Sequence, residues 1–333
     1  MDSKDPSIQA SAAIDALRAG VVNRYIAEHL TFGRESEIAG IESQIFSNEE
    51  GSVQILLGGY GVGKSHLCEV LACRLEKAGY AVARVELGSS SERAENPDAV
   101  LQAIANSITV HIGGHHFHGS DELNSRLVEP FFQKESIKDE FYKLLLLFRP
   151  IPSAMTAANL AVGQVRYAAQ FLHNLGCKGV VIIFDEAERA TALSWTPYRS
   201  QQATNLILWF ALTSANKDTS SLKHYRNERH YCSLPSSSLM HTIFCFTYYD
   251  DLVKQISSLI NPPVYYLSKL NEFTLEKIKL KIQEIYQKAY GISAKISSQD
   301  EKKIYESVKD FEDTRTFVRC LVAALDHQRL QRV

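Results

Sequence analysis

Apolar positions along this chain fall into two rhythms. Short unbroken runs, Val53–Leu57 and Val180–Phe184, have the length and content of strands buried on both faces, and residues 240–247 form a third strong strand pattern. Residues 80–87, alternating and rich in valine, predict another strand, and residues 264–267 after Pro262-Pro263 predict a short one. Between them, residues 65–78 and 97–112 carry apolar residues at helical spacing, the second stretch opened by Pro97 and Asp98. This strand and helix order predicts a parallel sheet with right-handed crossovers and helices on both faces. Residues 7–45 read as short helices broken by a turn at Thr31-Phe32-Gly33-Arg34-Glu35. From Thr274 onward the pattern is helical throughout: 274–290 with Thr274 as its cap, 298–309 and 314–329. The expected organisation is a helical lead-in (1–50), an α/β core (51–267) and a small all-α lid (268–333).

Two stretches depart from this plan. Residues 113–152 read as a mostly helical insertion, and residues 213–238 as a long polar loop. Four histidines cluster at 111, 115, 116 and 118, but Gly113 and Gly114 interrupt them and no Asp, Glu or Cys shares their spacing. A solvated loop is therefore expected there rather than a metal site. The lysines at 269, 277, 279, 281 and 288 interleave with Glu272, Glu276 and Glu284, which predicts a solvated helix face rather than a phosphate-binding surface.

The candidate chemistry begins at residue 58. Gly58-Gly59-Tyr60-Gly61-Val62-Gly63-Lys64-Ser65 is a complete G-x-x-x-x-G-K-[ST] loop, set between a strand pattern and a helix pattern as a phosphate-binding loop requires. Its glycines let successive backbone N–H groups turn inward toward phosphate oxygens, and the following helix adds its positive dipole end. Lys64 is expected on the β- and γ-phosphates of a nucleoside triphosphate, and the Ser65 hydroxyl on Mg²⁺. Far downstream, the buried run ends in Asp185-Glu186, which looks like a Walker B element. Asp185 would then be the Mg²⁺-side acid and Glu186 the base that polarises the attacking water, which makes the chain an ATPase.

Composition trims the alternatives. With 333 residues and 45% hydrophobic content the chain is long enough for one large α/β domain and a smaller appendage. A net charge of −2 argues against binding nucleic acid by bulk electrostatics and leaves only a local patch for that role. No apolar run has the 18 residues a membrane span needs, and the polar start Met1-Asp2-Ser3-Lys4-Asp5-Pro6 lacks a secretory layout, so a cytoplasmic location without membrane attachment is expected. Cysteines at 68, 73, 177, 232, 245 and 320 include no C-x-x-C pair, which argues against both disulfides and a zinc site.

Together the phosphate loop, the acidic strand end and the helical carboxyl terminus resemble the AAA+ superfamily, in the branch that holds origin-recognition and STAND-type ATPases. The match extends to Ala16-Leu17-Arg18-Ala19-Gly20-Val21, residues 30–35, the loop itself, Leu267-Ser268-Lys269-Leu270 before a helix ending Ala289-Tyr290-Gly291, and Thr314-Arg315-Thr316-Phe317-Val318-Arg319 leading to Leu325-Asp326. These segments look like the ATP-binding family of BREX-type anti-phage defence systems, while 113–178 and 213–238 carry none of its motifs.

The resemblance implies ATP and Mg²⁺ as cofactors, residues 58–66 including His66 as the nucleotide cradle, and Gly33 and Arg34 near the adenine. It implies Arg315 as the sensor 2 arginine, against a surface ion pair with Glu312 or Asp313, and Thr247 as sensor 1, against an ordinary strand-end threonine. Other defence proteins, double-stranded DNA and further copies of the chain are its candidate partners. One departure stands out: ring-forming members carry an arginine finger between the sensor 1 strand and the last core strand, whereas residues 250–263 hold Lys254 and no arginine. Arg226 and Arg229 lie earlier, in the polar loop. A nucleotide-dependent scaffold without hydrolysis, and an ATPase of transposition or replication initiation, are the rival readings.

Overall fold

The computed structural model describes residues 5–87, 94–128, 158–192, 197–219, 222, 238–292, 296, 298–311 and 313–331. They form two compact units, one of Gly40–Leu57 with Arg74–Tyr265, the other of Met1–Ala39, Gly58–Cys73 and Tyr266–Val333.

The first unit is built on a seven-stranded sheet: β1 (Gly51–Leu57), β2 (Ala81–Glu86), β3 (Thr109–Ile112), β4 (His115–His118), β5 (Val180–Asp185), β6 (Met240–Phe246) and β7 (Val264–Tyr266), in the order β4-β3-β2-β5-β6-β1-β7. β2, β5, β6 and β1 are mutually parallel, and β3 runs antiparallel to both β2 and β4. Every residue of β5 and β6 is buried, as their unbroken apolar runs require. Phe184 stacks on Phe244 at 5.5 Å between centroids and meets Phe210 edge-on at 5.0 Å, joining the sheet to the helix Pro197–Ser214. Helices Pro97–Ser107 and Ala158–Asn174 add Ile104, Val165 and Leu172 to the same core.

All five expected strands are present, and three expectations around β3 and β4 are corrected. The helix from Pro97 ends at Ser107, because the β-branched alternation of residues 108–112 forms β3 along β2 instead. The histidine cluster is not a solvated loop: β3 and β4 make a hairpin in which His111 pairs with His116. The supposed helical insertion therefore opens with a strand, followed by a helical turn at Ser120–Leu123 and a π-helical one at Asn124–Val128. The remainder of that insertion, and Arg226, Arg229 and most of the polar loop, lie outside the described residues.

In the second unit the two ends of the chain share one hydrophobic cluster. The face Ala10, Ala13, Ile14 and Leu17 of helix Pro6–Ala19 packs with Leu275, Ile278, Ile282 and Ile285 of helix Glu272–Tyr290, and with Phe317, Leu321 and Leu325 of helix Thr314–Leu330. Arg18 clamps this packing through a bidentate pair with Asp326, at 2.7 and 2.6 Å, while Tyr286 donates to the same carboxylate at 2.7 Å. Thr274 does not cap its helix. Asn271 does, its side chain accepting from Thr274 N at 2.8 Å, so the helix starts at Glu272. Lys279 of the expected solvated face is buried between Glu276 and Glu301, whereas Lys281 and Lys288 pair with Glu284 at the surface.

Candidate functional site

The phosphate loop leaves the chain at Leu57, the carboxyl end of β1. Gly61 and Gly63 have φ of +73° and +99°, backbone angles that a residue with a Cβ adopts only under strain. Lys64, which opens the helix Lys64–Lys77, is 8% exposed and donates Nζ to the carbonyls of Gly58 and Gly59 at 2.6 and 3.1 Å. Its ammonium also lies 5.8 Å from the ring centroid of Tyr60, a side chain 65% exposed. A lysine held by two weak carbonyl acceptors at a helix start suits a triphosphate, whose oxygens are far better acceptors for an ammonium.

Arg34 braces this loop from outside. Its buried guanidinium donates Nη2 to Val62 O at 2.9 Å and to Ser268 O at 2.6 Å, and pairs with Glu37 at 3.4 Å. His66 faces Thr31, with Nε2 2.8 Å from Oγ1; burial, reinforced by the Arg34 charge, pulls its pKa down to about 4. Gly33, at φ +69°, donates its N–H to Glu35. Asp313 caps helix Thr314–Leu330 by accepting from Arg315 N at 2.7 Å, and its carboxylate lies against Gly61: a Cβ on Gly61 would fall 1.9 Å from Asp313 Oδ1. Arg315 is exposed, its Cδ 3.6 Å from the position a Cβ on Gly20 would take, and no ion pair to it is present among the described residues. The phosphate loop, Arg34, His66 and Arg315 thus belong to one unit.

The remaining site residues gather in the sheet unit. Leu57 is level with Phe246, and Phe184 with Phe244, so the carboxyl ends of β1, β6 and β5 reach the same edge of the sheet. That edge, where the phosphate loop departs, is where parallel α/β sheets bind ligands. Asp185 is buried there, accepting from Arg84 Nη2 and from Glu186 N, both at 3.1 Å. Glu186 sits at φ +54°, an uncommon angle for a side-chain-bearing residue, and pairs with Arg189 at 2.7 Å. Burial raises its carboxyl above the ordinary range against the opposing pull of Arg189, with Glu86, Asp185 and Glu188 adding to the rise.

Thr247, just past β6, donates its hydroxyl and its N–H to Glu188, which is 7% exposed. The sequence pattern alone singles out neither Glu188 nor Arg84. Glu188 stood beside the acidic pair in Asp185-Glu186-Ala187-Glu188, and only the register of β5 on β6 shows which acid meets Thr247.

With the glycine-rich loop at the end of β1 and an acidic end on β5, the second strand over, the fold is AAA+-like. The structure is similar to Aeropyrum pernix Orc1, solved in complex with DNA, with a TM-score of 0.51 and 13% identity over 93% of this chain and 65% of that one. Cdc6p of Pyrobaculum aerophilum gives 0.50 and 11%, over 93% and 67%. The chain thus spans about two thirds of the length of either protein. Residues 6–134 match the family described as BREX system ATP-binding protein BrxC/D, a stretch that holds the phosphate loop and ends ahead of Asp185. No curated protein matches the sequence. Among the described residues, no helix is long and apolar enough to cross a membrane.

Proposed function

We propose that this protein binds ATP with Mg²⁺, hydrolyses it, and passes its nucleotide state to a partner in bacterial defence against foreign DNA. The observation that carries the reading is the loop itself: two glycines at positive φ, a helix-start lysine whose ammonium donates to the carbonyls of Gly58 and Gly59, and departure from the sheet edge that carries Asp185. Lys64 binds the β- and γ-phosphates, Ser65 and Asp185 are the Mg²⁺ ligands, and Glu186 orients and deprotonates the attacking water, assisted by Thr247 through Glu188. Mg²⁺ supplies neutralisation of the charge that develops on the phosphates.

The helical region 268–333 acts as the responding lid. Asp313 places a negative charge against Gly61 of the loop, so arriving phosphate disfavours that contact and favours an approach by Arg315, two residues on. Defence-system proteins and double-stranded DNA are the partners this reading selects, the first from the family match and the second from the DNA held by Orc1. A switch that binds ATP without turnover draws support from one feature, the ion pair that engages Glu186 with Arg189.

Steady-state phosphate release, with and without double-stranded DNA, separates the two. Release that falls by about 100-fold or more in Glu186→Gln supports the ATPase. Stoichiometric ATP binding with no release under either condition establishes the switch.

A further inference from the structure

The hairpin of β3 and β4 carries chemistry the nucleotide site does not use. Ile112 and His115 pair across Gly113 and Gly114, whose φ of +58° and +80° make the two-residue turn that suits a right-twisted hairpin. That turn fixes the register, and the register sets His111 directly opposite His116, with ring centroids 4.7 Å apart on one face of the ribbon. Glu76, in the last turn of helix Lys64–Lys77, meets both rings: its Oε1 lies 2.9 Å from His111 Nε2 and 2.7 Å from His116 Nε2. The three donor atoms all fall within 4.8 Å of one another.

We propose that Glu76, His111 and His116 form a binding site for a divalent transition-metal ion, with zinc the ion this donor set fits best. Two imidazole nitrogens and a carboxylate oxygen are a common zinc set, and imidazole donors select against Mg²⁺ and Ca²⁺. Donors around tetrahedral zinc, at bond lengths of about 2.0–2.1 Å, stand about 3.3 Å apart, so the rings need withdraw from the carboxylate by only about half an ångström.

Charge points the same way. The Glu76 side chain is 3% exposed and lies at the negative end of its helix, where an anion is disfavoured on both counts. A dication bound to the carboxylate offsets both penalties. The rings, 43% and 41% exposed, leave the remaining coordination position open to water. About 18 Å of helix separates Glu76 from Lys64, so the ion is a second site and not the nucleotide's Mg²⁺.

The test uses the full chain, stripped of metal by a chelator and titrated with ZnCl₂ in the absence of nucleotide against a chromophoric zinc indicator. The expected result is one zinc per chain with a Kd of about 1 µM or tighter. His111→Ala and His116→Ala, at half-exposed positions that fold without their rings, should each weaken it by about 30-fold or more. His115→Ala, on the opposite face of the strand, should leave it unchanged. Co²⁺ should give visible d–d absorption in the wild type that His116→Ala loses, and Glu76→Gln should weaken both signals. No zinc bound at about 100 µM, or zinc binding unaltered in the double variant His111→Ala/His116→Ala, overturns the site and leaves an imidazole–carboxylate hydrogen-bond cluster.

Discussion

Lys64 and Glu186 represent two different kinds of readiness at the scale of single residues. The Lys64 ammonium is held by the carbonyls of Gly58 and Gly59, acceptors that a triphosphate outcompetes. Lys64→Ala should therefore lower ATP affinity by about 100-fold or more while the thermal unfolding of the apo protein stays nearly unchanged, read by calorimetric titration alongside a melt. Unchanged affinity in the folded variant removes the loop from the nucleotide site. Glu186→Gln should retain ATP and slow hydrolysis by about 100-fold, the loss expected when a positioned base is neutralised.

The pH profile adds an independent reading of Glu186. Burial raises its carboxyl, and a base works only when deprotonated, so the acid limb of kcat should lie above the pH of about 4.3 typical of a free glutamate. Arg189 opposes that rise, so Arg189→Ala should move the limb to still higher pH. A limb that stays in place in this variant separates Glu186 from the rate.

At the scale of elements, helix Thr314–Leu330 matters most because its cap touches the phosphate loop. Asp313 ends that helix on Gly61, and Arg315 follows within the first turn with no ion pair to hold it among the described residues. If the helix responds to the terminal phosphate, ATP and ADP must stabilise it differently, since a ligand shifts an equilibrium only by its differential affinity for the two states. Hydrogen exchange across 314–330 should be slower with ATP than with ADP in the wild type, and Arg315→Ala should close the gap without abolishing nucleotide binding. Equal protection by the two nucleotides in the wild type dismisses the lid as a sensor.

For the whole molecule, two buried histidines set the response to acid. His66 in one unit and His241 in the other are both pulled down to about 4 by burial, and His241 Nε2 has no hydrogen-bond partner among the described residues. Their folded pKa values lie below the unfolded value of about 6.5, so unfolding takes up protons. The stability they contribute is complete above about pH 6.5 and is lost as pH falls toward 4. Each proton contributes a slope of about 1.4 kcal/mol per pH unit, together about 2.7, between those limits. Urea titrations at several pH values should show this slope, and His66→Gln should cut it by about half. A slope unaffected by that variant assigns acid sensitivity to other groups.

Much of this was legible in the chain because it depends on local rules. Five strands follow from short apolar runs, and the turn between β1 and the helix from Lys64 follows from glycines that take positive φ without strain. The acid at the end of β5 follows from a buried run that stops at a carboxylate. What stayed hidden depends on partners distant in sequence. The β3–β4 hairpin could not be told from a solvated loop until β2 offered it an edge, and Glu76 could not be matched with histidines that share no spacing with it. Lys279 read as a surface lysine because Glu301 lies on another helix. Local composition fixes which backbone conformations the chain prefers, whereas the meeting of Glu76 with His111, of Thr247 with Glu188, and of Asp313 with Gly61 depends on strand register and helix packing, which only the folded molecule decides.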